Sequence, residues 1–497
     1  MARSRPVETL VDDLAGILPT GSETARARHL LKDLRHRLAA PLRVAVVGQI
    51  KAGKSSLINT MIGEPLLPVG TAETTYNVAW LRYGTVPKAI LRMDGGATRR
   101  EIPIGELDAW ARRSSASAGT DRVHCVEIVS PCALLQSFEL IDTPGLASSD
   151  GTDSSKTEMF LNLDRDSQPT EVDVALFTLR RGIHEEDEAT LRSFRHDADG
   201  RVSPLNALGL VMQSDLLWPG VDNPMEAAAR LARRLASQPR LRNSLYDVLA
   251  ISGVLASGVD LLATDRHALE SLATASPSEV ERLTQSAKRF LEADGFREEI
   301  SVDLRRRLLA KLGLYGINRA CALLRHQDVG VVLDALREES QIPRLLGLLQ
   351  GMFVPRTALV RILAKMPVLE EAALNLMQSA SDTDRAAGEA WRRRLVHFAS
   401  EDSALSIDLL RLYGREDLDL STVERTELRD IATYLEDRGE AQGAFSPLTE
   451  TSERIRSRMD YWRARYNDAR MMGSPTQEPA LAMCRALERA QAEGRDR

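Results

Sequence analysis

The apolar positions follow two different periods along the chain, and the change falls near residue 256. Between residues 41 and 255, short apolar runs alternate with segments of helical period: RVAVVG (43–48), NVAWLRYG (77–84), KAILRMD (88–94), VHCVEIV (123–129), FELID (138–142), DVALFTL (173–179), LGLVM (208–212) and VLAIS (248–252). Continuous apolar runs between helices are typical of strands that are buried on both faces. The pattern therefore predicts an α/β fold with a mostly parallel sheet.

Helical spacing predominates in the rest of the chain. Two short helices are predicted at 7–18 and 23–39, and helices alone are predicted after 256. In the long helix predicted at 452–472, apolar residues recur in steps of four and three, which favours packing along a seam; they are Ile455, Met459, Trp462, Tyr466 and Ala469. We predict three parts: helices at 1–40 that pack with a bundle, an α/β domain at 41–255, and a long α-helical bundle at 256–497.

The first apolar run leads directly into a phosphate-binding motif. Gly48-x-x-x-x-Gly53-Lys54-Ser55 matches the P-loop pattern, with a strand before it and a helix after it. Glycines let backbone N–H groups surround phosphates, the lysine contacts the β- and γ-phosphates, and the serine hydroxyl is a Mg²⁺ ligand. The predicted nucleotide-binding residues here are Gly48, Gln49, Ile50, Lys51, Ala52, Gly53, Lys54, Ser55 and Ser56.

The run FELIDTPGL supplies a second element of such a site. Asp142 ends a predicted strand and fits the carboxylate that holds Mg²⁺ through a water, while the Gly145 N–H can contact the γ-phosphate. The Asp-x-x-Gly spacing favours a GTPase switch over a generic ATPase. In the intervening loop PVGTAETTYNVAW we predict that Thr75 closes over Mg²⁺ and positions the attacking water, with Thr74 as the alternative.

Lys51 is an unusual cation inside the P-loop, since it stands in QIKAGK. It could stabilise charge on the bridging oxygen between the β- and γ-phosphates, although a solvated loop lysine is the simpler interpretation. No glutamine follows Gly145, so the chain lacks the side chain with which Ras-like enzymes orient water. The predicted catalytic residues are Lys51, Lys54, Thr75 and Gly145, and the predicted metal ligands are Ser55, Thr75 and Asp142.

The run LGLVMQSDLLW (208–218) stands where a GTPase carries Asn-Lys-x-Asp, but its residues are Met212-Gln213-Ser214-Asp215. A carboxylate at Asp215 can accept hydrogen bonds from guanine N1–H and N2–H₂, whereas adenine offers it a lone pair. Gln213 can lay its methylene groups over the base. Ser252 and Gly253 are predicted to support the base from the other side.

Composition limits the partners and the compartment. The formal net charge is −6, so the chain has no global basic field of the kind found in nucleic-acid-binding proteins, and we predict no nucleic-acid partner. The four cysteines form no C-x-x-C pair, which favours buried thiols in a reducing cytosol. No apolar run approaches the roughly 20 residues that span a bilayer, so any membrane contact is expected from the side.

The motifs GQIKAGKSSLIN, LLPVGTAETT and IDTPGL, followed by a long helical half, resemble the bacterial dynamin-like proteins. LGLYGINRA (312–320) and FVPRTALVRIL are similar to the actinobacterial group that includes the mycobacterial isoniazid-inducible members. The resemblance implies a GTPase domain at 41–255, a neck and stalk formed by helices from both ends of the chain, and GTP hydrolysis with Mg²⁺. It also implies membrane remodelling at the inner face of the plasma membrane, and assembly as a homodimer through GTPase domains or with a paralogous dynamin-like protein.

Two segments are candidates for contact with an anionic membrane surface. LLGLLQGMFV (345–354) is the most apolar stretch, although a buried bundle helix is the favoured interpretation. The helix at 452–472 is rich in arginine, although an ion-paired, solvated face is favoured there. Two other functions stay open: a GTP-dependent switch of the ribosome-assembly kind, and a P-loop ATPase with a helical regulatory scaffold.

Overall fold

The computed structural model describes residues 5–20, 24–49, 52–67, 78–93, 98–107, 123–143, 172–179, 206–238, 241, 245–258, 261–292, 300–413, 418–437 and 452–493 of the 497-residue chain. All structural statements below concern these residues. They form one large sheet with helices around it and a separate helical cluster.

The sheet has nine strands in the order β4-β3-β5-β2-β6-β1-β7-β8-β9. Five adjacent strands, β6-β1-β7-β8-β9, run parallel to one another. On its other side, β6 pairs with β2, and that pair is antiparallel. The strands are β1 (Leu42–Val47), β2 (Val78–Tyr83), β3 (Lys88–Met93), β4 (Thr98–Ile102), β5 (Val123–Ser130), β6 (Phe138–Asp142), β7 (Val174–Leu179), β8 (Ala207–Val211) and β9 (Val248–Ala250).

The predicted α/β fold with a mostly parallel sheet is confirmed, and each of the eight predicted apolar runs overlaps an observed strand. The apolar pattern does not indicate β4, whose sequence TRREI pairs antiparallel with β3 at the edge of the sheet. An edge strand needs no buried face, so its charged residues give no apolar signal.

Helices fill the remaining described segments. The helices are α1 (Arg5–Ile17), α2 (Ala25–Leu38), α3 (Lys54–Ile62), α4 (Pro224–Ala236), α5 (Gly253–Ser257), α6 (Ala263–Ala273), α7 (Pro277–Leu283), α8 (Ala287–Glu292), α9 (Val302–Leu323), α10 (Val329–Glu339), α11 (Ile342–Leu348), α12 (Val354–Ala364), α13 (Met366–Met377), α14 (Asp382–Ala399), α15 (Asp402–Tyr413), α16 (Thr422–Asp437), α17 (Ser452–Met472) and α18 (Gln477–Glu493). A π-helical turn, Leu349–Phe353, joins α11 to α12.

The N-terminal helices share one hydrophobic core with the C-terminal helices. Leu10 and Leu14 of α1 and Leu31 of α2 belong to the same buried cluster as Trp391 and Trp462. The two ends of the chain therefore form one bundle, as the family resemblance implies. The apolar stripe predicted along α17 packs into this cluster through Ile455, Met459, Trp462 and the partly buried Tyr466, and its fifth residue, Ala469, is also buried.

The packing differs from the predicted division at residue 256. Leu345, Leu349 and Phe353 are buried in the same core as β1 and α3, so the stretch 345–354 is neither a bundle helix nor an exposed tip. Helices α6 to α10 pack with Leu255 in a further cluster beside the sheet. Apolar length and period cannot tell which of two cores a helix joins, which is why the sequence placed this region in the bundle.

Among the described residues, one continuous helical stretch, Ile342–Met377, is long and apolar enough to cross a membrane by length and composition alone, with a mean hydropathy of 1.3. In this fold, 44% of its most apolar window is buried. Leu345 and Leu349 lie in the core beneath the sheet, so this apolar character is used in packing.

Candidate functional site

The P-loop surrounds the N-terminus of α3 after β1, in a conformation that glycine makes possible. Gly48 has φ +147°, and a Cβ placed there would lie 1.9 Å from the Thr178 Oγ1 atom. Gly53 has φ +88° immediately before the helix begins at Lys54. The turn therefore requires glycine at both positions, and it presents a helix N-terminus as an anion site does.

Lys54 is buried, with 7% of its surface exposed. Its ammonium group donates hydrogen bonds to the Gly48 carbonyl at 3.1 Å and to the Gln49 carbonyl at 2.9 Å. These contacts hold the cation against the loop, where it faces any phosphate that the loop would bind.

Ser55 and Asp142 meet beside this lysine. The Ser55 Oγ donates to the Asp142 Oδ2 at 2.5 Å, and the next residue, Thr143, donates its hydroxyl to the Val46 carbonyl at 2.8 Å. The parallel pairing of β6 with β1 brings the two motifs together, since Val46 lies opposite Asp142. Burial raises the pKa of Asp142 to about 6, while the Lys54 charge and the Ser55 hydrogen bond oppose this rise.

These residues fit a magnesium ion. The Asp142 Oδ1 is buried and has no hydrogen-bond partner among the described residues. A buried carboxylate oxygen without a partner costs free energy unless a cation or a water satisfies it. Ser55 supplies a hydroxyl beside the same carboxylate, and hard oxygen donors of this kind are what Mg²⁺ prefers.

Asp215 lies on the opposite side of the P-loop, in a short 3-10 turn after β8. Its Oδ1 accepts a hydrogen bond from the Ser252 Oγ at 2.7 Å, and Ser252 also caps α5 by accepting from the Leu255 N–H. Burial raises the pKa of Asp215, and the Ser252 hydrogen bond works against that rise. One carboxylate oxygen is thus fixed by Ser252, and Asp215 also lines the neighbouring cavity.

That cavity has a volume of about 580 Å³ and lies between the P-loop helix and the Asp215 turn. It brings together five of the predicted nucleotide-binding residues, namely Gly53, Ser56, Gln213, Asp215 and Gly253. Gln213 has φ +55°, and its amide nitrogen lies 3.7 Å from where a Cβ on Gly53 would be. The glutamine side chain therefore lies against the P-loop, and Gln213 lines the cavity.

Several predicted residues lie outside the described part of the chain. They are Ile50, Lys51, Thr74, Thr75 and Gly145. The catalytic roles assigned to Lys51, Thr75 and Gly145 stay predictions, as does the choice between Thr74 and Thr75. Gln49 and Ala52 are described, and the Ala52 N–H donates to the Gln49 carbonyl at 3.4 Å.

One wall of the cavity was not predicted from the sequence. Ala310 and Lys311 of α9 line it, although they lie about a hundred residues after Asp215 in the chain. Helix α9 contains one non-helical residue, Gly313, with φ +64° and ψ 176°. The break at LGLYG was the available signal, because an isolated glycine within a helical pattern often marks a close approach.

Several known proteins are similar to part of this chain. Residues 44–168 match the dynamin family. The isoniazid-induced protein IniC of Mycobacterium tuberculosis is 31% identical over 294 residues, covering 58% of this chain and 57% of that protein. Dynamin-like protein 2 of Campylobacter jejuni is 30% identical over 116 residues, covering 23% of this chain and 18% of that protein.

Among solved structures, one bacterial dynamin from an oligomerised pair described as sensing and tethering membranes covers 99% of this chain and 86% of that chain. Its identity is 14% and its TM-score is 0.35. The chain spans about 57% of the length of the IniC relative. The chain therefore matches the dynamin family over residues 44–168 and is similar to bacterial dynamin-like proteins.

Proposed function

We propose that this protein hydrolyses GTP with Mg²⁺ and couples hydrolysis to self-association and to binding of an anionic membrane surface. The observation that supports the enzymatic part is the contact of Ser55 with Asp142 beside the buried Lys54, at the start of the helix whose residues Gly53 and Ser56 line a cavity together with Asp215. This arrangement offers a cation, a metal-binding pair and a base-reading carboxylate to one nucleotide.

At the phosphate end, Lys54 neutralises charge on the β- and γ-phosphates, and the P-loop amides orient them. Ser55 and Asp142 hold the metal, which when bound neutralises charge on the same phosphate oxygens. Lys51 is proposed to contact the bridging oxygen, Thr75 to position the attacking water, and Gly145 to contact the γ-phosphate.

At the base end, Asp215 accepts from guanine N1–H and N2–H₂ with the oxygen that Ser252 leaves open. Because the carboxylate is buried, adenine would leave it facing a lone pair at a high cost in free energy. Gln213 covers one face of the base, and Ser252 with Gly253 supports the site from α5. Guanine preference thus rests mainly on Asp215.

The bundle is proposed to transmit the nucleotide state to the membrane surface. Met471 and Met472, at the turn between α17 and α18, have 88% and 79% of their surfaces exposed, beside Arg470. Two exposed methionines next to a cation suit the interface of an anionic bilayer. Several other arginines of α17 form ion pairs with glutamates, so the helix face itself is less suited to lipid: Arg458 with Glu427, Arg463 with Glu488, and Arg465 with Glu424.

The proposed location is the cytoplasm, at the inner face of the plasma membrane, with a second copy or a paralogous dynamin-like protein as the partner. Three of the four cysteines are buried and all four are free thiols, as suits a reducing compartment.

The test is GTP turnover measured against protein concentration, with and without vesicles of anionic lipid. Specific activity is expected to rise with concentration and to rise further on the vesicles. A flat specific activity in both series contradicts the assembly-coupled mechanism. If ATP is hydrolysed as fast as GTP, the proposed guanine site is contradicted and an ATPase is favoured.

A further inference from the structure

Helix α9 lies outside the matched family segment, yet it closes the cavity in which the base is proposed to bind. Helix α9 is broken at Gly313, and this residue lies close to Val254 and Asp215. A Cβ built there would lie 3.3 Å from the Val254 Cγ1 and 3.5 Å from the Asp215 Oδ2. A methyl group at position 313 would therefore lie in van der Waals contact with the base-reading carboxylate.

The helix is firmly anchored in this position. Leu312 is fully buried, and a Cβ added to Gly258 would lie 2.4 Å from its Cδ2. One turn later, a Cβ on Gly316 would lie 2.9 Å from the Leu255 Cδ2. Leu255 belongs to α5, the helix that Ser252 caps, so α9 and the base-supporting segment pack as one unit.

The wall that α9 provides carries a cation. Among the described residues that line the cavity, Lys311 alone has a basic side chain. It is exposed to solvent, and no ion pair of Lys311 is found among the described residues. Because Leu312 faces the packed interior, Lys311 is available to a molecule within the cavity.

The other described donors that line the proposed base site, such as the Gln213 amide, are uncharged. Asp215 can only accept hydrogen bonds, so it pairs with the donors of guanine and leaves the O6 and N7 acceptors to other groups of the site. Met212 stands where a GTPase carries the asparagine, and its thioether cannot donate. An ammonium group donates only, so it favours the O6 of guanine over the 6-amino group of adenine.

We propose that Lys311, supplied by α9, is a specificity-determining residue that donates to the acceptor edge of guanine. Helix α9 is then part of the nucleotide site, and it substitutes from a distant segment for the donor missing after β8. This inference rests on the proposed function, because it takes the cavity to be the base site.

The test compares the affinities of the parent and of variants for GDP and GMP, by competition against a fluorescent guanine nucleotide. Lys311→Met is expected to weaken GDP and GMP binding by the same factor, about tenfold, since a charged hydrogen bond is lost. Lys311→Arg should retain most of the affinity. The matched control is Arg306→Met on the same helix, where the arginine is exposed, pairs with Asp303 and lies outside the cavity.

The inference is overturned if the Lys311→Met variant binds GDP and GMP as tightly as the parent does. The inference is also overturned if Lys311→Met weakens the binding of GDP but not that of GMP, because the lysine would then contact the β-phosphate that GMP lacks. Thermal unfolding of each variant separates a lost contact from a lost fold. If the parent binds no GDP, the proposed function itself fails; if it does bind GDP and Lys311→Met matches it, only the role of Lys311 fails.

Discussion

Arg361 of α12 and Asp173, just before β7, form a two-point ion pair between the bundle and the sheet. The Arg361 Nε donates to the Asp173 Oδ1 at 2.9 Å, and the Nη2 contacts the Oδ2. The same guanidinium donates to the carbonyl oxygens at the end of α2, those of Arg37, Ala40 and Pro41. Three segments that are far apart in sequence thus meet on one side chain.

Arg361→Ala should lower the free energy of unfolding by about 2 to 4 kcal/mol, because it removes the cation from the mostly buried Asp173 carboxylate, which keeps the Arg43 N–H as a donor, and it removes the side-chain donor of several carbonyls. Urea unfolding measures this. Arg385→Ala is the control, since its exposed pair with Asp382 within α14 should contribute below about 1 kcal/mol. If both variants unfold alike, Arg361 does not join the two parts.

Asp215→Asn should weaken GDP binding roughly a hundredfold, a loss near 3 kcal/mol, which exceeds the effect of any change at Met212 or Gln213. Since Ser252 donates to the Oδ1, an asparagine here would keep its carbonyl toward Ser252 and turn its amide nitrogen to the cavity. That nitrogen suits the C2 carbonyl of xanthine, so xanthosine diphosphate should bind better to the variant than to the parent. Competition binding measures both, and unchanged guanine selectivity would remove Asp215 from the site.

Asp142→Asn should stabilise the metal-free protein while abolishing Mg²⁺-dependent turnover. Burial raises the pKa of Asp142 from 3.8 to about 6, so the folded state binds this proton more tightly than the unfolded chain. Ionisation of this carboxyl group therefore destabilises the fold as the pH rises from about 3.8 to about 6, and the destabilisation reaches its full size above pH 6. The gain at pH 7 should be roughly 1 to 3 kcal/mol and should shrink toward pH 4. Thermal unfolding of the parent and of Asp142→Asn without metal, between pH 4 and pH 7, measures this gain. A stability gain that grows toward low pH contradicts the prediction.

Gly48→Ala should abolish nucleotide binding, because its methyl group would overlap the Thr178 hydroxyl and its φ of +147° disfavours a side chain. Adding Thr178→Ala should restore little, since the backbone strain remains. Gly330→Ala in α10 is the control, because no atom lies within 4 Å of the added Cβ and alanine favours helix. Nucleotide titration and thermal unfolding of all three variants measure the effects, and full binding by Gly48→Ala would exclude the proposed loop geometry.

The double variant Met471→Ser, Met472→Ser should bind anionic vesicles several-fold more weakly, since it removes two exposed apolar groups from the turn. Val423→Ser is the control, because Val423 is 75% exposed on a different helix of the bundle. Vesicle co-sedimentation compares them. If vesicle binding falls equally in both variants, or falls in neither, the turn is excluded as the membrane contact.

The sheet and the phosphate end of the site could be predicted because each depends on a local pattern. The run before Gly48 and the run ending at Asp142 are apolar strands followed at once by polar groups, and parallel pairing then brings Ser55 to Asp142. The base end could be predicted only in part. Asp215 follows a strand in the same way, but its partner wall, α9, comes from a segment whose helical period says nothing about which core it joins.

The packing of Leu345, Leu349 and Phe353 beneath the sheet has a practical consequence for anyone who isolates the sheet-containing part of this protein. A fragment that stops near residue 255 would expose an apolar surface and would lose the cavity wall that contains Ala310 and Lys311. The shortest soluble, nucleotide-competent fragment should instead extend through Phe353 and end within the helix that begins at Val354.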